Sequence, residues 1–475
     1  MKKLLASLLV ISACGGPSDV VDVKENTATT TKSEVMKVDS EIITDLNSAS
    51  DEAKNCIKDR WPNGVEHVLG GHIPSENETN LIYSCINDPE GMKQNNEGTK
   101  QNNEGTKQNN TEPLGGYSGW KSQWEQKCKG TGTVMFANSP MKIEDIHSLT
   151  PYGQIVGGHI TPIDHMYFEP KDRSLGRDVY EVRAIQDAYI FNISVRRIGA
   201  ESQQEQKPDY RLDMVHTCTF GSFFDLMTSL SPELEEVLNK GNFSGTSVEA
   251  GQLLGYVGGQ TLDFGVYNYS EPLDFINPNA YQREPWKIYT HDPFPYFPSE
   301  VSSQLLNKMV RKIEPRAGRI DYDVDGTLSG NWFEVGTNFY NGIDQSKYWD
   351  GHFSLSLHPI DPSYWQIGIG FLDTYDNTFI IEGTPSPLDI KVEQGKQIYE
   401  LFMGNTYIVN DPDKKWWEDP YDENDIYGVR LDKESGGRYI MLELLETRLL
   451  QLEVFTNLDK DSIITFTEKS RLYER

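Results

Sequence analysis

A short tandem repeat divides the chain and limits where a folded core can form. The unit Asn-Asn-Glu-Gly-Thr-Lys-Gln recurs between Gln94 and Asn110 and contains no aliphatic or aromatic residue. Solenoid repeats stack because each unit buries apolar side chains against the next, and these units have none to bury. We therefore expect a flexible low-complexity linker over residues 91–116, with folded structure on either side of it.

The charge balance excludes one broad class of function. The 475 residues contain 44 Lys and Arg against 72 Asp and Glu, which gives a formal net charge of -28. Such a chain is repelled by phosphate backbones, so we expect no nucleic-acid partner. Hydrophobic residues make up 37% of the chain, too many for a wholly disordered acidic protein. The length predicts two or three folded units joined by disordered stretches.

The N-terminus carries the pattern of an export signal. Two lysines precede an apolar run from Leu4 to Ile11, which is too short to span a bilayer as a helix. The segment Ile11-Ser12-Ala13-Cys14 resembles a bacterial lipobox, which implies a signal peptide over residues 1–13 and lipidation of Cys14. Gly15, rather than Asp, follows the cysteine, which by analogy favours the outer membrane of the cell envelope. If Cys14 is lipidated, residues 14–48 are a disordered tether. The alternative is an ordinary secretory signal that leaves Cys14 as a thiol.

Four further cysteines allow two disulfides in an oxidising compartment. They are Cys56, Cys85, Cys128 and Cys218, and three connectivities are open. Cys56 with Cys85 is the local choice, because both lie in a small helical segment predicted over residues 49–90. Cys128 would then pair with Cys218.

The remaining chain is predicted to be mainly β. Residues 117–298 form a strand-rich domain in which one helix begins at Ser231-Pro232, where serine supplies the N-cap and proline the first helical position. An apolar stripe predicts a second, linking helix from Glu300 to Ile313, within residues 299–317.

The C-terminal residues 318–475 are predicted to form a barrel. They contain short glycine-bounded runs and end in an apparent antiparallel hairpin from Tyr439 to Phe455. Several short strands at such spacing are typical of a β-barrel-like domain. The Gly330-Asn331-Trp332 step resembles that of lipocalins.

The strand-rich domain resembles the lysostaphin-type zinc metallopeptidases, which cut peptidoglycan cross-bridges. Three stretches carry the resemblance, in the family's order: Gly158 to His165, Met214 to Leu226, and Val248 to Phe264. The glycine-rich part, Gly251-Gln252-Leu253-Leu254-Gly255-Tyr256-Val257-Gly258, is the most specific. The resemblance implies an antiparallel β domain and a zinc site.

The motifs that supply zinc ligands in that family are altered here. The family has a His-x-x-x-Asp pair, but four residues separate His159 from Asp164. Its His-x-His motif is replaced by Thr261-Leu262-Asp263, and Asp225 stands where the family has another catalytic histidine. A hydrolytic zinc site needs about three protein ligands and an open position for water. We therefore expect no catalytic residues, and His159, Asp164 and Asp263 to be either a remnant zinc site or purely structural.

Two other histidines lie within the resembling stretches. His216 falls on the apolar face of a predicted strand, where a hydrogen-bonded core histidine is expected rather than a ligand. His165 follows Asp164 and is interpreted as a turn or surface residue.

Two features of the C-terminal part suggest ligand sites. Asp321, Asp323 and Asp325 with Gly326 match the first half of a calcium loop, but the twelfth position is Trp332 rather than a glutamate. The alternative is an acidic turn. Trp416 and Trp417 lie in a polar loop rich in proline and aspartate, where paired indoles are expected to be exposed and to bind a ligand.

Together these patterns predict a lipid-anchored envelope protein with an inactive peptidase-like domain and no required cofactor. Its expected role is to bind peptidoglycan or a partner such as a cell-wall hydrolase. Two alternatives stay open: an active zinc metallopeptidase that uses Asp263 in place of histidine, and a small-ligand or glycan-binding lipoprotein that uses the C-terminal barrel.

Overall fold

A computed structural model describes most of the chain after the repeat. The described residues are 116–196, 207–241, 243–372, 376–414, 422 and 424–475, with scattered positions between 46 and 69. Residues 112–475 belong to one compact unit, and residues 20–111 form another. In the latter, residues 53–55 are helical and Leu46 and Ile57 are buried. Among the residues placed by the structure, no helix combines the length and the apolar character needed to cross a membrane.

The first half of the larger unit is built on an antiparallel seven-stranded sheet. Its strand order is β1-β2-β10-β6-β5-β4-β8. The strands are β1 (Ile146–Thr150), β2 (Met166–Pro170), β4 (Ala188–Arg196), β5 (Asp209–Thr217), β6 (Phe220–Met227), β8 (Thr246–Val248) and β10 (Leu262–Asn268). A three-stranded sheet, β3-β9-β7, lies beside it. It comprises β3 (Tyr180–Arg183), β7 (Ser229–Leu230) and β9 (Leu253–Val257).

This half contains two helices, and the start of the second has a clear local cause. A short helix, α1, spans Gly116–Lys121. The second, α2, spans Pro232–Asn239 and begins where the sequence predicts, because the Ser231 hydroxyl accepts from the Leu234 amide and a proline takes the first turn. Leu234 of α2 is buried.

The second half is a nearly closed, barrel-like sheet. Its strand order is β14-β13-β12-β11-β20-β19-β18-β15. The strands are β11 (Gly330–Glu334), β12 (His352–Leu357), β13 (Trp365–Ile369), β14 (Thr378–Ile381), β15 (Gln397–Glu400), β18 (Arg438–Glu446), β19 (Leu449–Thr456) and β20 (Arg471–Glu474). A bridge between Ile380 and Phe402 joins its two ends. Strands β16 (Met403–Ile408) and β17 (Tyr427–Asp432) form a separate ribbon.

The fold class is confirmed as mainly β, and the predicted C-terminal hairpin is β18 with β19. The predicted linking helix is shorter than expected. It spans Ser299–Lys308 (α3), because Met309 is extended and forms a parallel bridge with Leu149 of β1. The Val310 amide then donates to the Leu149 carbonyl at 2.9 Å. A neighbouring strand edge therefore replaces the last helical turn that the apolar stripe predicts.

The barrel-like sheet also holds a loop of the first half in place. Gln366 donates to the Gly153 carbonyl at 2.6 Å, and Asn377 donates to the Gly157 carbonyl at 2.7 Å. The Ser354 hydroxyl donates to the Ile160 carbonyl. Residues 153–163 are thus fixed from the C-terminal side, and this loop leads directly into the candidate site.

Candidate functional site

The candidate site lies at the centre of the seven-stranded sheet, where three adjacent strands bring acidic residues together. Strand β10 lies between β2 and β6, and Asp263 of β10 is the register partner of Asp225 on β6. Each of these aspartates is only 1% exposed. Leu226, next to Asp225, has a φ of 61°, and the β5–β6 register shifts nearby. This irregular backbone sets the direction of the Asp225 side chain.

His165 is the central side chain of the site. It lies in a bend immediately before β2, as a turn residue would, but it is 5% exposed and so is not on the surface. Its Nε2 lies 3.3 Å from Oδ2 of Asp263, and its Nδ1 lies 3.6 Å from Oδ1 of Asp164. The imidazole therefore stands between two carboxyl groups, one facing each ring nitrogen. Rings of Tyr167 and Phe223 flank it at centroid distances of 5.1 and 5.9 Å.

Asp164 is held as a carboxylate. The Tyr267 hydroxyl donates to its Oδ2 at 3.2 Å. Burial alone would raise its pKa, but the contact with His165 and the charge of buried Lys287 outweigh burial and lower the pKa of Asp164. His159 lies beyond, with its ring centroid 6.0 Å from that of His165. Burial and the neighbouring His165 lower the pKa of His159 to about 3, so His159 is neutral at pH 7.

Two arginines supply the positive charge of the site. Arg196, at the end of β4, places Nη2 2.5 Å from Oδ2 of Asp225. Arg211 of β5 approaches the same oxygen at 3.6 Å and pairs with Asp213 at 2.8 Å. Its guanidinium also lies 3.9 Å from the centre of the Phe223 ring. Asp225 and Asp213 are therefore neutralised by guanidinium groups of this chain.

Asp263 differs from the other aspartates because nothing in the described part of the chain hydrogen-bonds to it. Neither carboxyl oxygen of Asp263 has a hydrogen-bond partner, and neither has Nε2 of His165. Burial raises the pKa of Asp263 to about 7, against the opposing charge of His165, and the nearby Asp225 carboxylate raises it further. Two of these three atoms, Nε2 of His165 and Oδ2 of Asp263, face each other at 3.3 Å.

The donor arrangement does not fit the zinc site that the resemblance implies. The structure brings His159, Asp164 and Asp263 around one imidazole, but Asp164 faces Nδ1 while Asp263 faces Nε2. One ion cannot contact both carboxylates and His165 in that arrangement. Thr261 donates its hydroxyl to the Phe168 carbonyl at 3.2 Å. Within the described ranges, no group of three or more His, Cys, Asp or Glu side chains is placed to hold a metal ion.

The three aspartates of the calcium-like loop point to separate partners. Asp321 pairs with Arg319 at 2.7 Å, and Asp325 pairs with Arg448 at 3.2 Å. Asp323 is half-buried and accepts hydrogen bonds from the backbone amides of Asn331 and Ile276. In the structure, these carboxylates do not converge on one point.

Some of the other candidate residues lie in the core, and the rest lie outside the part of the chain that the structure describes. A disulfide joins Cys128 and Cys218, one of the pairings that the sequence allows. His216 contacts the Asp187 carbonyl and the Ser222 hydroxyl through its two ring nitrogens, both at 2.9 Å, as expected of a core histidine. Outside the described residues lie Cys14, Cys56, Cys85, Trp416 and Trp417.

Comparison with known proteins gives one distant likeness. No protein-family model matches the chain, and no curated protein matches it either. Among solved structures, it is similar to a crystal structure from Ruminococcus gnavus ATCC 29149 that is assigned as a glycyl-glycine endopeptidase, LytM. The identity is 13%, the match covers 49% of this chain and 80% of that chain, and the TM-score is 0.14. A likeness at this level adds no support for a shared activity.

Sequence reasoning missed the cationic half of the site. His216 lies on the apolar face of β5, and the alternate positions Asp209, Arg211 and Asp213 carry charges. Alternating charges on one face of a strand flanked by apolar strands signal a buried ionic network. Arg196 and Lys287 carry no comparable local signal, since only the fold brings them near the site.

Proposed function

We propose that this chain is a non-catalytic protein of the bacterial cell envelope, anchored through Cys14, that binds a cell-wall component or a partner protein. Wall binding is proposed because residues 117–298 resemble zinc peptidases that act on the cell wall. The observation that carries the non-catalytic part is the pairing of Arg196 and Arg211 with the carboxylates of the site. A divalent cation placed there would be repelled by two guanidinium groups.

Access to the site supports the same proposal. The reactive atoms of a peptidase must meet a scissile bond, yet His165 and Asp263 are 5% and 1% exposed. The loop over residues 153–163 is fastened to the barrel-like sheet by Gln366 and Asn377. A wall polymer does not contact atoms buried to this degree, so wall contact through the outer surface is favoured over cleavage.

Binding to intact sacculi tests the proposal. The full chain with Cys14→Ser, which removes the lipid anchor, would be incubated with purified peptidoglycan sacculi and sedimented. We expect the protein in the pellet, with the turbidity of the suspension unchanged with or without added zinc. Failure to sediment, from a preparation that is folded by circular dichroism, would remove wall binding and leave a protein partner. A zinc-dependent fall in turbidity would instead establish the metallopeptidase.

The anchor is tested separately from the binding. Cells that express the intact chain would be fed an alkyne-labelled fatty acid, and the label on the protein measured after fractionation. We expect label in the membrane fraction, and its loss in the Cys14→Ser chain. An unlabelled, secreted wild-type protein would favour the ordinary secretory signal.

A further inference from the structure

Residues 119–127, which we call the strap, pack against the seven-stranded sheet through two tryptophans. Trp124 is fully buried and Trp120 is half-buried. Their indoles contact four aromatic side chains at ring-centroid distances from 4.7 to 6.4 Å. These four side chains, which we call the aromatic groove, are Phe191, Tyr267, Tyr269 and Trp286.

The rest of the strap is exposed, apart from the half-buried Lys121. The Gln123 amide donates to the Trp120 carbonyl at 3.2 Å, and the Trp124 amide donates to the Lys121 carbonyl at 3.1 Å, so these bonds lie within the strap itself. Nε1 of Trp124 is buried without a hydrogen-bond partner among the described residues. A buried donor without a partner costs free energy, and this N–H gains a water partner when the strap leaves the sheet. Docking of the strap therefore depends on indole packing, and one polar group opposes it.

The two ends of the strap are held differently. Directly after it, a disulfide joins Cys128 to Cys218, and the Cys218 amide donates to the Gly130 carbonyl at 3.0 Å. The Gly132 amide donates to the Thr219 hydroxyl at 2.7 Å. On the other side, the chain leads to the strap from the tandem repeat, whose units have no apolar side chain to bury. The strap can therefore leave the sheet while the chain from Cys128 onward stays in place.

The aromatic groove is continuous with the candidate site. Tyr267 and Asp263 are four positions apart on β10, so their side chains lie on the same face of the sheet. The Tyr267 hydroxyl donates to the Asp164 carboxylate, and the Tyr267 ring stacks on Phe223 at a centroid distance of 5.5 Å. Phe223 in turn flanks His165. The strap thus covers the outer end of an aromatic row that runs to His165.

We infer that the strap is a detachable cover and that the aromatic groove is a docking site for a tryptophan-bearing peptide segment. The occupant in the structure is the chain's own strap, and the groove offers its indoles edge-to-face and tilted ring contacts. A segment of the same chemistry competes with the strap for the groove, so detachment of the strap controls the apparent affinity of the groove. This inference concerns one face of the sheet and holds whether or not the chain binds the cell wall.

A synthetic peptide with the sequence of residues 116–127 tests the inference by competition. In the full chain, Trp120→Ala with Trp124→Ala removes the indoles that dock the strap and leaves the groove open. We expect the fluorescently labelled peptide, followed by anisotropy, to bind this double variant at least about tenfold more tightly than the wild type, in which the tethered strap competes at high effective concentration. A peptide with alanine at both tryptophan positions should bind neither protein. Equal binding to both proteins, or no binding to a double variant that is folded by circular dichroism, would overturn the inference.

A matched variant separates the indoles from the rest of the strap. Gln123→Ala with Gln126→Ala makes two substitutions at exposed positions of the same segment and leaves both tryptophans in place. This variant should exclude the peptide as strongly as the wild type does. If it binds the peptide as tightly as the double tryptophan variant, then the indoles do not hold the strap on the groove and the inference falls.

Hydrogen exchange of the unmodified full chain tests detachment without relying on a variant that folds. The Trp124 amide is bonded within the strap, and the Cys218 amide is bonded beside the disulfide. A short helical segment does not persist in water once it leaves the sheet, so we expect the Trp124 amide to exchange at least about tenfold faster than the Cys218 amide. Excess peptide should accelerate exchange at Trp124 further, because it keeps the strap off the groove. Equal exchange rates of the two amides would show that the strap opens only when the whole unit unfolds, which would refute detachment.

Discussion

Replacing Arg196 with methionine tests whether its guanidinium neutralises the buried Asp225. The two are 2.5 Å apart, and Asp225 is 1% exposed. Removing one member of a buried ion pair typically costs about 3–5 kcal/mol, because the remaining charge is left uncompensated. Here Arg211 stays 3.6 Å from the same oxygen and Arg196 is partly exposed, so we expect a loss of about 2–3 kcal/mol. Urea denaturation followed by tryptophan fluorescence measures this free energy of unfolding.

Two further variants separate charge from packing. Arg448→Met breaks an ion pair with Asp325 that is exposed on both sides, so it should cost less than about 0.5 kcal/mol. Adding Asp225→Asn to Arg196→Met removes the stranded charge and should recover part of the lost stability. If Arg196→Met is as harmless as Arg448→Met, or if the second substitution recovers nothing, then Arg196 is not the counter-ion of Asp225.

Three other predictions concern the stability of the same unit. Lowering the pH from 6.5 to 4 should destabilise the chain. Burial lowers the pKa of His159 and of four further histidines to about 3–4, whereas the unfolded chain binds protons near pH 6.5. At pH 5 each histidine costs up to about 2 kcal/mol, and a urea midpoint that does not fall would contradict this. The four further histidines are His147, His216, His352 and His358. Cys128→Ser with Cys218→Ser opens a link between residues 90 positions apart, which should cost about 2–5 kcal/mol in urea relative to the oxidised protein; no loss would mean that the reduced chain is equally constrained. Gln366→Ala leaves the Gly153 carbonyl without its donor and should cost about 1–3 kcal/mol, with faster hydrogen exchange in residues 153–163; unchanged exchange would show that the barrel-like sheet does not fasten this loop.

Local pattern was sufficient for several elements of the fold. The strand predicted around His216 corresponds to β5, and the serine–proline step starts α2 where expected. In both cases the sequence pattern and the element that it predicts depend on the same few neighbouring residues. The end of α3 was missed because it is decided by Leu149, more than 150 positions away, whose backbone takes the place of a helical partner.

The site illustrates the same limit more strongly. Asp164, Asp263 and Asp225 were found through their motifs, and strand pairing brings the latter two face to face. His165 lies in a bend, which its neighbours in sequence suggest, but its burial depends on the pairing of the adjoining β2 with β10, which is distant in sequence. Arg196 reaches the site only through the order of four adjacent strands. The sequence pattern does not show which residue a long charged side chain contacts, so these pairs can be identified only from the tertiary structure.

Zinc content is the most direct test of the proposed non-catalytic site. The purified full chain would be incubated with excess zinc, passed through a desalting column and analysed for metal by mass spectrometry. Because Arg196 and Arg211 already neutralise the carboxylates and the remaining donors face opposite sides of His165, we expect far less zinc than protein and an unchanged melting temperature. Stoichiometric zinc that is lost in Asp263→Asn would contradict this, and would restore the metallopeptidase as the function to pursue.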